Sequence, residues 1–165
     1  MTTTQTQDLD KLRDILKDIR FTMLTTVTSE GPHARPMTTL DAEPDGSLWF
    51  FASNDSRLVA EIGTNPVVGL TYADNGSADF VSVTGRAREV DDPAKAKELW
   101  NPALKAWFTE GLDDPKLALL EVTIESAGYW DAPDNRFVRL AGILAAAATG
   151  KEYDAGKVGH IENRG

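Results

Sequence analysis

The chain has 165 residues, of which 41% are hydrophobic and 26% are charged, a composition typical of one globular domain. Its formal net charge of −9 opposes a phosphate backbone, so we expect no nucleic-acid partner. It contains no cysteine, which excludes disulfides and thiolate metal sites and agrees with a cytoplasmic location. We expect no signal peptide and no membrane association, because no apolar run reaches the roughly 18 residues of a membrane span.

The N-terminal segment predicts a disordered start followed by an amphipathic helix. Residues 1–8 are polar, and we expect them to be disordered. Apolar side chains then recur at the spacing of one helix face. They are Leu9, Leu12, Ile15, Leu16 and Ile19. Asp8 or Asp10 is the predicted cap of this helix.

Six segments predict β-strands, because they combine β-branched or aromatic residues with alternating or continuous hydrophobicity. They are FTMLTTVT (21–28), HARPMTTLDA (33–42), LWFFA (48–52), VVGLTYA (67–73), DFVSVTGRAREV (79–90) and LALLEVTIESAGYW (117–130). Short turns such as SEGP and DNGS join several of them as hairpins. The pattern favours a mainly β fold, an antiparallel barrel or sandwich with peripheral helices.

Two helices are predicted between the strands. SNDSRLVAEIGTNP (53–66) has Asn54 or Asp55 as its predicted cap, and Gly63 with Pro66 should end it. DDPAKAKELW (91–100) has Asp92 as cap and a proline in the first helical position. The following segment, NPALKAWF, continues or restarts this helix, with a break at its proline.

The C-terminal part of the chain gives a weaker pattern. FVRLAGILAAAATG (137–150) is ambiguous between strand and helix. Residues 153–165 are polar, and we expect a loose tail there. A single domain over residues 9–152 is therefore predicted.

Two segments could bind a ligand. In SNDSR (53–57), hydroxyl groups and an arginine surround a helix start, which suits a phosphate; ordinary capping with a solvated arginine is the alternative. In Arg35-Pro36-Met37, the proline donates no hydrogen bond, which predicts that the strand lies at an edge of the sheet or is interrupted there. Arg35 could then direct its guanidinium, and Met37 its amide, at a planar heterocycle; the alternative is a surface arginine beside an edge proline.

Other chemistry has little support in the sequence. His33 and His160 share no metal-ligand spacing, so no metal site is predicted. Hydrolase and nucleotide-binding motifs are absent, and no catalytic residue can be assigned. Trp49 should pack in the core, whereas Trp107 and Trp130 lie at element ends, where aromatic residues often form interfaces or cofactor walls.

Taken in order, these segments resemble the bacterial general-stress branch of the pyridoxamine 5'-phosphate oxidase-like flavin-binding split barrels. The resemblance covers about residues 8–152. It is carried by HARPM, LWFFAS, NDSRLVAEI, GLTYAD, FVSVTGRAREVDD, ELWNPALKAWF and DDPKLALLEVTIESAGYWD, followed by a closing VRL-to-ATGK stretch. It implies a six-stranded antiparallel split β-barrel that binds FMN at the interface of a homodimer.

The resemblance also implies which residues hold the FMN. Arg35, Pro36 and Met37 match the segment along the isoalloxazine ring. The residues expected along the ribityl chain and phosphate are Phe51, Ala52, Ser53, Ser56 and Arg57. Trp107 and Trp130 match aromatic positions that could wall the pocket. Family members commonly carry a lysine where this chain has Leu58, so the resemblance leaves open whether Arg57 replaces it.

Several functions remain open at this stage. The resemblance favours a stress-related flavin oxidoreductase acting on a small molecule. The alternatives are a non-catalytic FMN-binding carrier or sensor, or a split barrel that uses F420 or haem, with His33 as the one haem ligand to test. Authentic pyridoxamine 5'-phosphate oxidase activity is not favoured, because no second phosphate clamp can be assembled from the arginines.

Overall fold

The computed structural model describes residues 3–77, 79–131 and 157–162. In these ranges, eight antiparallel strands form one sheet. The strands are β1 (Phe21–Thr28), β2 (Gly31–Thr38), β3 (Asp41–Ala42), β4 (Ser47–Ser53), β5 (Val67–Asp74), β6 (Asp79–Val90), β7 (Leu117–Asp131) and β8 (Lys157–Glu162). The helices are α1 (Thr3–Asp18), α2 (Arg57–Thr64) and α3 (Pro93–Leu99), with 3-10 turns at Pro102–Ala106 and Gly111–Asp113. None of the helices described is long and apolar enough to cross a membrane.

The sheet is built mainly from sequential hairpins. Its strand order is β2-β1-β5-β6-β7-β4-β3, and β8 also pairs with β7. All six predicted strands are present, and the predicted antiparallel architecture with peripheral helices is confirmed. The edge position predicted from Pro36 is also confirmed, because β2 lies at one end of the strand order. The two-residue β3 was not predicted as a separate strand.

The expectation of a loose tail over residues 153–165 is wrong where β8 forms. On one side of β7, strand β4 pairs with Leu117–Thr123 only, and β8 pairs with Ser126–Asp131. Backbone N–H and C=O groups beyond the end of β4 thus gain partners that they would otherwise lack. Strand β8 forms because β7 offers unpaired backbone groups there, and not because of its own polar sequence. The sequence of the tail therefore did not predict a strand. The ambiguous segment 137–150 lies outside the described residues.

The N-terminal helix confirms the predicted apolar face but not its start. Its five predicted apolar residues are all buried. Helix α1 nevertheless begins at Thr3, inside the stretch that we expected to be disordered. Starting a helix is costly, whereas each further residue adds a hydrogen bond at little cost. A helix held by its buried face can therefore extend through the preceding polar residues.

The predicted N-cap is correct for helix α3 and wrong for helix α2. Asp92 caps α3 as predicted, accepting a hydrogen bond from the Lys95 N–H at 2.9 Å. In α2, however, Ser56 is the cap, with its Oγ accepting from the Val59 N–H at 3.3 Å. Neither Asn54 nor Asp55 has that role.

Two hydrophobic clusters meet at β4. The barrel core lies inside the sheet and includes Leu48, Phe50 and Ala52 of this strand. The outer cluster contains Trp49, Phe51, Phe108 and Leu119. Because successive side chains of a strand point to opposite faces, β4 supplies both clusters, which explains its continuous apolar sequence. Trp49 is buried, as predicted.

Candidate functional site

The described residues enclose a cavity of 590 Å³ between the edge strand, β4, the start of α2 and the segment around the first 3-10 turn. Its lining residues are Phe21, Arg35, Pro36, Met37, Thr38, Leu40, Phe51, Ala52, Ser53, Ser56, Leu58, Leu104, Trp107 and Phe108. The volume lies within the range of roughly 300–1,000 Å³ that small-molecule sites occupy. Most of the walls are apolar, and the polar groups lie at only a few positions.

Eight of the ten residues predicted to hold a cofactor line this one cavity. They are Arg35, Pro36, Met37, Phe51, Ala52, Ser53, Ser56 and Trp107. They come from three separate stretches of the chain, 35–37, 51–56 and 107, which the fold brings together. The other two, Arg57 and Trp130, do not line it. Their contact with a cofactor stays a prediction, as does that of the eight.

The edge strand reaches the cavity through side chains and not through a free amide of Met37. The Thr39 N–H donates to the Arg20 carbonyl at 2.8 Å. N–H direction alternates along a strand, so the odd-numbered amides of β2, including that of Met37, point toward β1. The expectation that Met37 would turn its amide to a ligand is therefore wrong.

The start of α2 provides hydroxyl groups and also a carboxylate. Ser53 Oγ donates to Asp55 Oδ1 at 2.6 Å, and Lys116 Nζ lies 3.0 Å from Asp55 Oδ2. The hydrogen bond from Ser53 and the nearby Lys116 ammonium lower the pKa of Asp55 from its ordinary value. Near this end of the cavity, the amide groups of a helix start thus lie beside the Asp55 carboxylate, whose negative charge Lys116 balances.

At the start of α2, where the sequence resemblance implies a lysine, the described part of the cavity wall offers no cation. Leu58 lines the cavity and is only 3% exposed. The Arg57 guanidinium is held elsewhere: its Nε donates to Glu61 Oε1 at 2.7 Å and its Nη2 to Glu30 Oε2 at 3.0 Å. These partners explain why Arg57 does not contribute to the cavity.

Glu61 stands at the centre of a network that joins α2 to β1 and β2. Thr26 Oγ1 and Arg35 Nη2 donate to its Oε2 at 2.5 and 2.6 Å. His33 Nδ1 lies 2.8 Å from Oε1, which also accepts from Arg57. His33 Nε2 lies 3.4 Å from Arg57 Nη2. Nδ1 donates to Oε1, because an ionised carboxylate oxygen only accepts. We name Glu61, Thr26, His33, Arg35 and Arg57 the Glu61 network.

The Glu61 network strongly favours the ionised carboxylate. The side chain of Glu61 is only 8% exposed, and burial opposes ionisation. Hydrogen bonds from Thr26, His33, Arg35 and Arg57 outweigh this effect and hold the pKa of Glu61 far below its ordinary value. Glu61 is not among the residues predicted from the sequence. Its signal was the i, i+4 spacing from Arg57, which places the two side chains on the same helix face.

Arg35 is fixed at one nitrogen and unsatisfied at the other. Nη2 contacts Glu61 and also donates to Thr26 Oγ1 at 3.0 Å. Nη1 is buried and has no hydrogen-bond partner among the described residues. Such a donor is costly to leave unpaired. Arg35 lines the cavity, so a ligand oxygen there could supply the missing acceptor.

The aromatic residues differ in how they relate to the cavity. Phe21 and Trp107 line it and are both 74% exposed, so they lie at its mouth. Trp130 lies on β7 opposite Phe80 of β6, and both rings are partly exposed. His33, the one haem ligand considered, does not line the cavity and is engaged by Glu61. Among the described residues, no group of three histidines or carboxylates could hold a metal ion.

Comparisons with known proteins point to one family. The family model described as pyridoxamine 5'-phosphate oxidase like matches residues 7–154. General stress protein 26 of Bacillus subtilis (strain 168) is 33% identical over 140 residues, covering 81% of this chain and 96% of that protein.

Solved structures show the same fold. The general stress FMN/FAD binding protein of Xanthomonas citri is 38% identical, with a TM-score of 0.68 over 78% of this chain and 92% of that chain. A Jannaschia sp. CCS1 protein assigned as a general stress protein 26 has a TM-score of 0.78 at 24% identity, over 96% of this chain and 99% of that chain. The split-barrel fold that the sequence resemblance implied is therefore confirmed.

Proposed function

Because the chain belongs to the pyridoxamine 5'-phosphate oxidase-like family, we propose that its cavity binds a flavin, FMN in particular, and that the protein is a flavin oxidoreductase acting on a small molecule. The observation that carries this proposal is the convergence of eight predicted residues, from three separate stretches of the chain, on one cavity of 590 Å³. The related Xanthomonas citri protein is described as FMN/FAD binding, which supports a flavin as the ligand.

The wall between β2 and the 3-10 segment suits the ring system. Met37, Leu40, Leu104 and Phe108 provide apolar surface there. Arg35 adds a donor, since its buried Nη1 has no acceptor among the described residues. A planar heterocycle with carbonyl oxygens matches an apolar slot with a guanidinium on one side. The residues of this wall thus fit an isoalloxazine ring.

The start of α2 suits the other end of the ligand. A helix start offers unpaired amides and the positive end of the helix dipole, and Ser53 and Ser56 add hydroxyl groups. Leu58 replaces the family lysine and Asp55 lies close by, so the phosphate would be held mainly by neutral donors. FMN therefore fits, with less electrostatic attraction than a lysine would give.

A bound flavin would supply the electron and hydride transfer, and the protein would supply binding and orientation. The described lining residues include no carboxylate and no histidine. The cavity therefore offers Arg35 and the hydroxyl groups of Thr38, Ser53 and Ser56 as its functional groups toward a substrate.

We further propose a homodimer in which a second copy of the chain covers the cavity mouth. Phe21 and Trp107 are exposed there, and Met23 and Val27 continue the exposed apolar face of β1. Clustered apolar side chains of this kind mark surfaces that another molecule covers. Sedimentation should show a dimer that Phe21→Ser weakens and Leu112→Ser, at an exposed site outside the cavity, does not. A monomer that binds FMN tightly would contradict this part of the proposal.

Flavin titration tests the binding proposal. FMN, riboflavin, FAD, F420 and haem are each titrated into the purified protein, with flavin fluorescence or absorbance as the signal. Leu104→Trp should narrow the cavity and abolish flavin binding, whereas Leu112→Trp, which makes the same change outside it, should not. Failure of the wild-type protein to bind any flavin at high micromolar concentration would overturn the proposal.

Turnover then separates an enzyme from a carrier. NADH or NADPH is added to the flavin-loaded protein together with small-molecule acceptors, and oxidation of the reductant is followed by absorbance. Turnover above that of free FMN, lost in Leu104→Trp and kept in Leu112→Trp, supports the oxidoreductase. Tight binding with no turnover beyond free FMN would instead identify a flavin carrier or sensor.

A further inference from the structure

Glu61 does not line the cavity, but its buried carboxylate accepts a hydrogen bond from Arg35, which does. We propose that Glu61 is a positioning residue, which orients Arg35 of β2 for the ligand by holding one guanidinium nitrogen, Nη2, and so fixing the direction of the other, Nη1. This proposal rests on the proposed function, because the ligand that Arg35 would meet is the flavin. Helix α2 would then have two roles: its first turn offers amide groups to the ligand, and its Glu61 orients Arg35.

The two carboxylate oxygens of Glu61 accept hydrogen bonds from different residues, and only Oε2 contacts Arg35. A carboxylate has about four acceptor positions, and four donors fill them here. On Oε1 the donors are His33 and Arg57, which face outward toward Glu30. On Oε2 they are Thr26 and Arg35. The outer pair prevents the carboxylate from turning, so Oε2 stays in one place for Arg35.

A fixed Oε2 determines the plane of the Arg35 guanidinium. The group is a rigid planar fork, so an anchor on Nη2 also sets the direction of Nη1. Thr26 Oγ1 contacts the same Nη2 and gives it a second anchor. Nη1 is then the one arm left without a partner among the described residues. Without Glu61, a long side chain on an edge strand would sample several rotamers, and binding would have to order it.

A purely structural role would give a different pattern of mutational effects. A residue that only stabilises α2 would affect flavin binding equally with and without Arg35. A residue that acts through Arg35 should matter only while Arg35 is present. A double-mutant cycle distinguishes these cases, because it measures the coupling between the two side chains.

The experiment uses wild type, Arg35→Ala, Glu61→Gln and the double variant, each titrated with FMN and riboflavin. We expect Glu61→Gln to weaken flavin binding about tenfold when Arg35 is present and less than about twofold in the Arg35→Ala background. Glu125→Gln, which removes an exposed ion pair with Arg86, is the matched control and should change affinity in neither background. Equal losses in both backgrounds, or tighter FMN binding by Glu61→Gln, would overturn the proposal.

If Glu61→Gln does not fold, a second variant tests whether Arg35 needs both guanidinium nitrogens, Nη2 for Glu61 and Nη1 for the ligand. Arg35→Lys keeps the charge but offers one nitrogen, which Glu61 would hold. We expect its flavin affinity to match that of Arg35→Ala to within about twofold. Near wild-type affinity of Arg35→Lys would reject the positioning role. Absence of flavin binding by the wild type would instead reject the proposed function, and the role of Glu61 with it.

Discussion

Arg35 Nη2 lies 2.6 Å from Glu61 Oε2, and this ion pair joins the edge strand β2 to helix α2. Both elements contribute walls of the cavity, through Arg35, Pro36 and Met37 on one side and Leu58 on the other. Breaking the pair would therefore loosen two walls at once. Its position gives a direct way to test where a flavin ring lies.

Replacing Arg35 with alanine should weaken flavin binding about tenfold to a hundredfold, the range expected for loss of a charged hydrogen bond. Arg86→Ala is the matched control, since Arg86 pairs with Glu125 on the surface at 2.6 Å and does not line the cavity. Fluorescence titration with FMN measures both variants. Equal effects of the two substitutions would show that the ring does not lie against Arg35.

Leu58→Lys should place a cation at the start of α2, where the sequence resemblance implies a lysine. The new ammonium would attract the FMN phosphate but not riboflavin, so the ratio of their affinities should rise about tenfold or more. Leu58→Met, which conserves volume, is the control for altered packing of this buried residue. Titration of both ligands into each variant gives the ratio. An unchanged ratio would mean that the phosphate does not approach this helix start.

Trp107→Ala should weaken flavin binding without lowering the melting temperature. The ring is mostly exposed, so little burial is lost, but an aromatic contact with a flavin would contribute a factor of about three to ten. Trp130→Ala makes the same change on β7, away from this cavity. Loss of affinity in that variant too would place Trp130 in the site, from the second subunit. No effect of Trp107→Ala would remove Trp107 from the site.

The ionised state of Glu61 should make the fold sensitive to acid. Its folded-state pKa lies below the ordinary value of 4.5, mainly because Thr26, His33 and the arginines donate to the carboxylate. The resulting stability is fully present above the unfolded-state pKa and is lost as pH falls below it. Thermal melts between neutral pH and about pH 3 should therefore decline less steeply for Glu61→Gln than for wild type.

Glu125→Gln serves as the control in these melts, because its ion pair with Arg86 is exposed. Its pH profile should follow that of the wild type. A Glu61→Gln profile parallel to the wild-type curve would show that the carboxylate does not carry the acid sensitivity.

Replacing a glycine with alanine should be more destabilising at Gly85 in the sheet than at Gly63 in helix α2. At Gly85, beside the bulge where β6 meets β7, an added Cβ would lie 2.5 Å from the Thr123 carbonyl oxygen. Gly85→Ala should therefore destabilise the fold by about 1–3 kcal/mol. Gly63→Ala in α2 meets nothing within 4 Å and should stabilise it by about 0.4–1 kcal/mol. Urea denaturation measures both, and equal effects would contradict the predicted contact.

Local patterns were sufficient to predict most of the fold. Alternating or continuous hydrophobicity identified all six longer strands, and the proline at position 36 indicated an edge or an interruption in β2, which proves to be the edge strand. Features that depend on distant partners were not predictable in this way. Strand β8 forms because β7 extends past the end of β4, which is a property of pairing between remote segments.

The site shows the same division. Residues near turns and helix starts, such as Arg35 and Ser53, could be proposed from local chemistry and do line the cavity. The direction of the Arg57 side chain could not, because it depends on Glu30 and Glu61, which the fold brings to it. Glu61 looked like an ordinary helix residue until its four donors were seen together.

The two prolines of β2 also influence how copies of this chain can meet. Odd-numbered amides of this strand point toward β1, so Pro32 and Pro36 occupy positions whose N–H would have faced outward. An approaching strand would therefore find two donors missing from the edge that β2 forms in the described part of the sheet. Growth of the sheet from molecule to molecule into fibres is disfavoured, whereas association through side-chain surfaces is left open.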